Sequence, residues 1–412
     1  MSTSRIVVTG IGASSPIGGT APESWSALMS GASGARTLDY EWVSQYELPV
    51  TFAAEALVRP ETVLERPEAK RLDPAAQFAL VAAREAWADA GSPDVEPERF
   101  GVDFATGIGG VWTLLDAWDT LRDKGPRRVM PMTVPMLMPN AAAAAVSMHL
   151  NARAYARTVA SACASSTESI VNALEHLRLG LADIVIAGGT ESAIHPITVA
   201  SFASMQALSR RNDDPAHASR PYSVDRDGFV MGEGAAAVVL ETEAHARARG
   251  AKIYAVVAGG GITADSYHIT APEPDGLGAS RAVRLALEAA GASVDDVTHI
   301  NAHATSTPTG DIAEYRALRS VFGDRVHEIP VSATKASTGH LLGGTGALEA
   351  IFTILALRDG HAPPTINLTT QDPEIPLRVS GTAIPLGDGP QLAISNSFGF
   401  GGHNAVVAFA SV

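Results

Sequence analysis

The sequence predicts an α/β protein built as two similar units that share one core. Three observations carry this reading. Short apolar runs of strand length alternate with helical patterns along the whole chain. The alternation restarts after a charged interruption at 242–250. In each half a helix follows a Gly/Ser/Thr-rich turn, at Cys163 in the first and near Gly343 in the second. The halves are then 1–250 and 251–412.

Arg5 to Ile11 reads as a buried strand running into a Gly/Ser/Pro turn, and Glu23 to Met29 as a short helix. From Ala35 to Asp73 periodicity is poor, which predicts a surface excursion ending in the basic cluster Arg66, Lys70, Arg71. Pro74 opens a helix whose stripe Ala79, Ala83, Ala86, Ala90 permits close packing. A buried strand, 101–108, follows. Next come a helical segment, the basic turn Pro126-Arg127-Arg128, and an apolar Met/Pro/Ala stretch around Met136 to Ala145 that forms either core or pocket wall. Asp183 to Gly189 reads as a fully buried strand and Ser209 to Asp227 as a solvated polar loop. In the second half, strands are expected at 252–260, 297–302, 329–333, 392–397 and 405–410, with helices at 280–290, 312–322 and 343–357.

The only cysteine, Cys163, falls where a strand becomes a helix, since Ile170, Val171, Leu174 and Leu177 recur at helical spacing behind it. The positive end of a helix favours a thiolate over the reference thiol pKa of about 8.5, which makes Cys163 a candidate nucleophile; inert burial is the competing reading. A single cysteine excludes a disulfide framework and a cysteine-rich zinc site. The start MSTSRIVVTGIG has no signal-peptide pattern, and no apolar run reaches membrane-spanning length, so a cytoplasmic protein is expected. A net charge of −14 argues against a general nucleic-acid binder.

Three polar, glycine-bordered turns adjoin buried strands of the second half: NAHATSTPTGD with His303, KASTGHLLGGTG with His340, and NSFGFGGHN with Phe398, Phe400 and His403. Strand ends are where α/β sheets assemble their sites. A cysteine with histidines suits a thiol hydrolase or the transfer and condensation of a thioester, and His303, His340 and His403 together would be a zinc alternative.

The segments SACASS, RPYSVDRDGFVMGEGA, NAHATSTPTGD, TKASTGHLLGGTGALE and NSFGFGGHN together resemble the β-ketoacyl-[acyl-carrier-protein] synthases of the KAS I/II type, from Ile6 to Phe409. The resemblance implies the thiolase fold, a five-layered αβαβα arrangement of two pseudo-symmetric halves. It implies decarboxylative condensation of an acyl thioester with malonyl carrier protein in fatty acid biosynthesis, or alternatively the ketosynthase subunit of a type II polyketide pathway. By the same likeness Cys163 is the acyl-carrying nucleophile, His303 and His340 drive decarboxylation, and Lys335 and Glu349 hold that network. Phe400 is the gatekeeper whose backbone N–H joins that of Cys163 in an oxyanion hole. Thr305 and Thr307 bind the phosphopantetheine arm, with Ile108, Phe202, Phe398, Gly399 and Gly401 around the substrate. No cofactor is implied beyond that arm. The implied partners are acyl carrier protein, with Arg66, Lys70, Arg71, Arg127 and Arg128 as docking residues, and a second subunit, identical or a chain-length-factor-like one. Three departures stand out: Ser165 for threonine, Ala304 for glycine, and Ala336-Ser337 for serine and methionine. Ser165 is expected to alter packing in the acyl pocket.

Overall fold

The structure, a computed structural model, describes residues 4–412; Met1–Thr3, part of the N-terminal segment read above, lie outside the described residues. Ten strands form the sheet framework: β1 (Ile6–Ser14), β2 (Phe100–Ala105), β3 (Tyr155–Arg157), β4 (Ile184–Glu191), β5 (Gly234–Thr242), β6 (Ala255–Ala264), β7 (Val297–Asn301), β8 (Val331–Ser332), β9 (Leu392–Gly399) and β10 (His403–Ala410). Their order is β8-β7-β9-β10-β6-β1-β5-β4-β2-β3. Outward from the middle, β1-β5-β4-β2-β3 in one half matches β6-β10-β9-β7-β8 in the other, with the same succession of two antiparallel and two parallel pairings. The halves meet edge to edge through Ile6–Val257, Val7–Val256 and Val8–Ala255.

The principal helices are α1 (Pro74–Asp89), α2 (Val111–Lys124), α3 (Ala141–Leu150), α4 (Ser165–Arg178), α5 (Pro196–Ser204), α6 (Leu277–Ala290), α7 (Pro308–Phe322) and α8 (Thr345–Asp359). Helices α1 and α3 cover the outer face of the first half, and α6 covers the second with α7 packed beside it. Helices α4 and α8 touch strands of both halves, forming a central layer and completing five layers in all. This location explains why α8 is apolar all round: every residue from Thr345 to Leu357 is buried.

The same packing device occurs twice. In β1, a Cβ on Gly10 or Gly12 would lie 2.2 Å from the carbonyl oxygen of Ala86 or Ala82 in α1. In β6, a Cβ on Gly259 or Gly261 would lie 2.3 or 2.1 Å from that of Ala286 or Ala282 in α6. A glycine pair facing an alanine stripe therefore brings each outer helix against its sheet, and any side chain at these positions would push the layers apart.

Three expectations need correction. The 35–73 segment is not merely a surface excursion, because Leu38, Leu48, Val50 and Phe52–Ala54 join a buried cluster with Phe229, Val230 and Met231. The 209–227 segment is a solvated loop only over 210–217. Ser209, Ser219, Arg220, Tyr222, Ser223 and Arg226 are buried, and Arg226 pairs with Asp311 and Asp372, so its charges are satisfied by carboxylates far away in the sequence. The strand expected at 101–108 ends at Ala105, which leaves Thr106–Ile108 to form a turn beside the site.

Candidate active site

Cys163 sits in a single 3-10 turn, Ala162–Ala164, that leads directly into α4. Ala162 adopts φ 50°, a left-handed conformation that turns the chain sharply before the helix. The Ser165 hydroxyl donates to the Ala162 carbonyl at 2.6 Å and accepts the Ser161 N–H at 2.9 Å, bracing that turn. Ser165 does not border the cavity, so this departure acts on the nucleophile's backbone rather than on the acyl pocket.

The second half brings two imidazoles to this sulfur. Ligating atoms of Cys163, His303 and His340 all lie within 4.8 Å of one another. The rings of His303 and His340 meet edge-on, with centroids 5.6 Å apart. Glu314 of α7 holds the first histidine's turn by accepting the N–H groups of His303 and Ala304, each at 2.8 Å. Ala304 has φ 32°, a conformation that glycine adopts more easily. His340 is held by backbone hydrogen bonds with Val230 and Gly232 and by an Nδ1 contact to the Thr345 hydroxyl at 2.9 Å. When Nδ1 accepts from Thr345, Nε2 carries the hydrogen and donates into the site. His403 is exposed and stays outside this group, so the zinc trio does not assemble.

Lys335 and Glu349 lie buried behind the histidines, with Nζ 2.7 Å from Oε1, and the Thr334 hydroxyl also donates to Oε1 at 3.0 Å. Burial pushes the pKa of both histidines well below the ordinary value, and Lys335 adds to the shift, so both rings are neutral donors or acceptors. Burial pushes the Cys163 thiol up to about 11, against the opposing pull of Lys335 and of the Phe400 and Cys163 backbone N–H groups. The expectation of an easily formed thiolate is therefore corrected: desolvation outweighs the helix entrance.

Cys163, His303 and His340 border a cavity of about 360 Å³. Ile108, Phe202, Thr305, Thr307, Phe398, Gly399 and Phe400 line it with the three reactive side chains. Lys335, Glu349 and Gly401 do not: the first two lie beneath it, and Gly401, at φ 80°, shapes the turn after Phe400. Thr305 and Thr307 hydroxyls are 3.0 Å apart, and Thr307 also caps α7 through the Gly310 N–H. Met136 is buried and Met138 exposed, and neither borders the cavity. Arg66, Lys70, Arg71, Arg127 and Arg128 are exposed and, among the described residues, form no ion pair.

Sequence reasoning missed Phe229, whose ring meets both Phe202 and His340 edge-on with centroids 5.4 Å away. It also missed Glu314 and Glu191, buried acids whose only sequence signal is a carboxylate in or beside an apolar run.

Two family models match: the N-terminal domain of β-ketoacyl synthases over residues 3–246 and the C-terminal domain over 254–369. The chain is 44% identical over 405 residues to 3-oxoacyl-[acyl-carrier-protein] synthase 2 of Mycobacterium bovis, covering 98% of this chain and 96% of the relative. It is 45% identical over 409 residues to the protein so named in Synechocystis, covering 98% and 97%. Among solved structures, a type II polyketide ketosynthase in complex with its acyl-carrier protein superposes with a TM-score of 0.92 at 32% identity, covering 100% of both chains. A β-ketoacyl synthase from Burkholderia phymatum gives 0.90 at 35% identity, covering 99% of this chain and 100% of the other. With both models matched and identity of this order over nearly its full length, the chain belongs to the β-ketoacyl synthase family.

Proposed function

We propose that the chain joins an acyl group held on Cys163 to malonyl-[acyl-carrier-protein], with loss of CO2, to give a β-ketoacyl-carrier product in fatty acid biosynthesis. The observation that carries this reading is the convergence of Cys163, His303 and His340 on one cavity. In the first step Sγ attacks the acyl thioester carbonyl. The tetrahedral oxyanion is held by the N–H groups of Cys163 and Phe400, and the carrier thiol departs with the cysteine proton. Malonyl then enters and its C–CO2 bond breaks. Neutral His303 and His340 donate to the enolate oxygen left behind, which needs no cofactor beyond the phosphopantetheine arm at Thr305 and Thr307. The enolate carbon attacks the acyl carbonyl, the C–S bond breaks, and the Cys163 thiolate takes a proton from solvent. The half spanning 1–250 supplies the nucleophile and the half spanning 251–412 the imidazoles.

Arg66, Lys70, Arg71, Arg127 and Arg128 are read as the docking residues for an acidic carrier protein, an assignment supported by their exposure and lack of ion pairs. The edge strand β3 is read as the site of a second subunit, identical or chain-length-factor-like. Its outer side has no strand partner, and Met130, Met132, Val134 and Met138 are exposed in the preceding segment. No helix among the described residues is long and apolar enough to cross a membrane, and a cytoplasmic location is proposed. Condensation tests the reading: incubation with acyl and malonyl carrier proteins should release CO2 and one β-ketoacyl product per turnover, and free fatty acid as the sole product would favour a hydrolase instead.

A further inference from the structure

The two turns that open the helices of the central layer share one backbone shape. Ala162 and Leu342 are non-glycine residues with φ 50° and 47°. Each opens a 3-10 turn, Ala162–Ala164 or Leu342–Gly344, and each turn feeds a helix of the central layer, α4 or α8. Superposing the turns by these features sets Gly343 opposite Cys163. The second turn has no nucleophile, yet it keeps the amide N–H that such a turn presents at a helix entrance.

That N–H faces a carboxylate. Oε2 of Glu191, at the end of β4, accepts the Gly343 N–H at 3.0 Å and the Gly107 N–H at 2.9 Å. Oε1 accepts the Ile108 N–H at 3.2 Å and the Thr106 hydroxyl at 3.0 Å. Glu191 is fully buried, and these donors oppose the rise in its pKa that burial causes. The two backbones cross too closely for side chains: a Cβ on Gly343 would lie 2.1 Å from the Gly107 nitrogen, and one on Gly107 would lie 2.7 Å from Glu191 Oε2. One of the joined segments carries Ile108, at the cavity wall; in the other, Gly343 lies three residues after His340.

We infer that Glu191 is a positioning residue that closes a nucleophile-free copy of the catalytic turn and so fixes Ile108, hence the accepted acyl length, relative to the turn bearing His340. The inference rests on the reading of this cavity as an acyl site. Glu191→Gln keeps the volume but turns one acceptor oxygen into a donor facing N–H groups, loosening one side of the junction. The experiment measures condensation kcat/KM over a series of short to long acyl carrier proteins, beside malonyl decarboxylation.

The expected result is a change of about fivefold or more in the long-to-short ratio, exceeding any change in decarboxylation. Thr106→Val, which removes one donor at nearly constant volume, should move the ratio in the same direction by less, and it decides the matter if Glu191→Gln does not fold. A ratio unchanged in the folded variants, or a uniform loss across chain lengths and decarboxylation, would overturn the inference and leave Glu191 an ordinary core residue. A wild-type protein that condenses nothing would instead defeat the functional reading beneath it.

Discussion

Lys335 Nζ and Glu349 Oε1 lie 2.7 Å apart with both side chains about 1% exposed, so a buried ion pair forms the floor of the reactive cluster. The pair links α8 to the site, because the Lys335 charge lowers the pKa of Cys163, His303 and His340. Removing one partner leaves the other buried without its counter-charge. Lys335→Met should therefore cost about 3–5 kcal/mol in a denaturant titration, whereas Lys335→Met with Glu349→Leu should recover part of that loss. A double-variant loss equal to the sum of the Lys335→Met and Glu349→Leu losses would mean that the pair is not coupled.

The pH dependence of thiol alkylation follows from the burial of Cys163. A thiol pushed up to about 11 is protonated at neutral pH, so its thiolate fraction rises about tenfold per pH unit below that value. Iodoacetamide labelling of Cys163 in the free protein should accelerate through pH 7–9.5 without a plateau. Lys335→Met removes a charge that lowers this pKa, so labelling should slow at each pH. A plateau near pH 7 would show that the thiolate already dominates there.

Space around Gly399 is limited by the nucleophile turn. A Cβ there would lie 2.8 Å from the Ser161 carbonyl oxygen and 3.0 Å from the Cys163 nitrogen, one of the two oxyanion donors of the proposed mechanism. Gly399→Ala should lower kcat by about 10²- to 10³-fold, the usual effect of losing one such donor. A nearly unchanged melting temperature would place the loss in the site rather than in the fold.

If the neutral imidazoles donate to the enolate as proposed, His303→Ala and His340→Ala should each depress CO2 release from malonyl carrier protein by about 10²-fold or more. Acylation of Cys163 should remain measurable by intact-mass analysis in both variants. Normal decarboxylation in either variant would remove that histidine from the step.

Local chemistry made much of this legible in the sequence. The Cys163 turn and the turns of His303, His340 and Phe400 stand out because Gly, Ser and Thr interrupt apolar runs at strand ends, and the fold brings all four to one cavity. What stayed hidden depends on distant partners. Arg226 reads as a loop charge until Asp311 and Asp372 are seen around it. Glu191 gives no sign in sequence that it will meet Gly107 and Gly343. Phe229 follows a polar stretch and only tertiary packing sets it against His340. The thiol's pKa was misjudged for a related reason: a helix entrance is visible in sequence, whereas the depth of burial is not.

In the proposed reaction one sulfur carries the acyl group during condensation. Intact-mass and peptide-mapping spectrometry after brief exposure to acyl carrier protein, with malonyl withheld, tests it most directly. A single acyl adduct should form on Cys163, disappear when malonyl carrier protein is added and never form in Cys163→Ala. An adduct of the same mass on Cys163→Ala, or condensation at the wild-type rate by that variant, would contradict it.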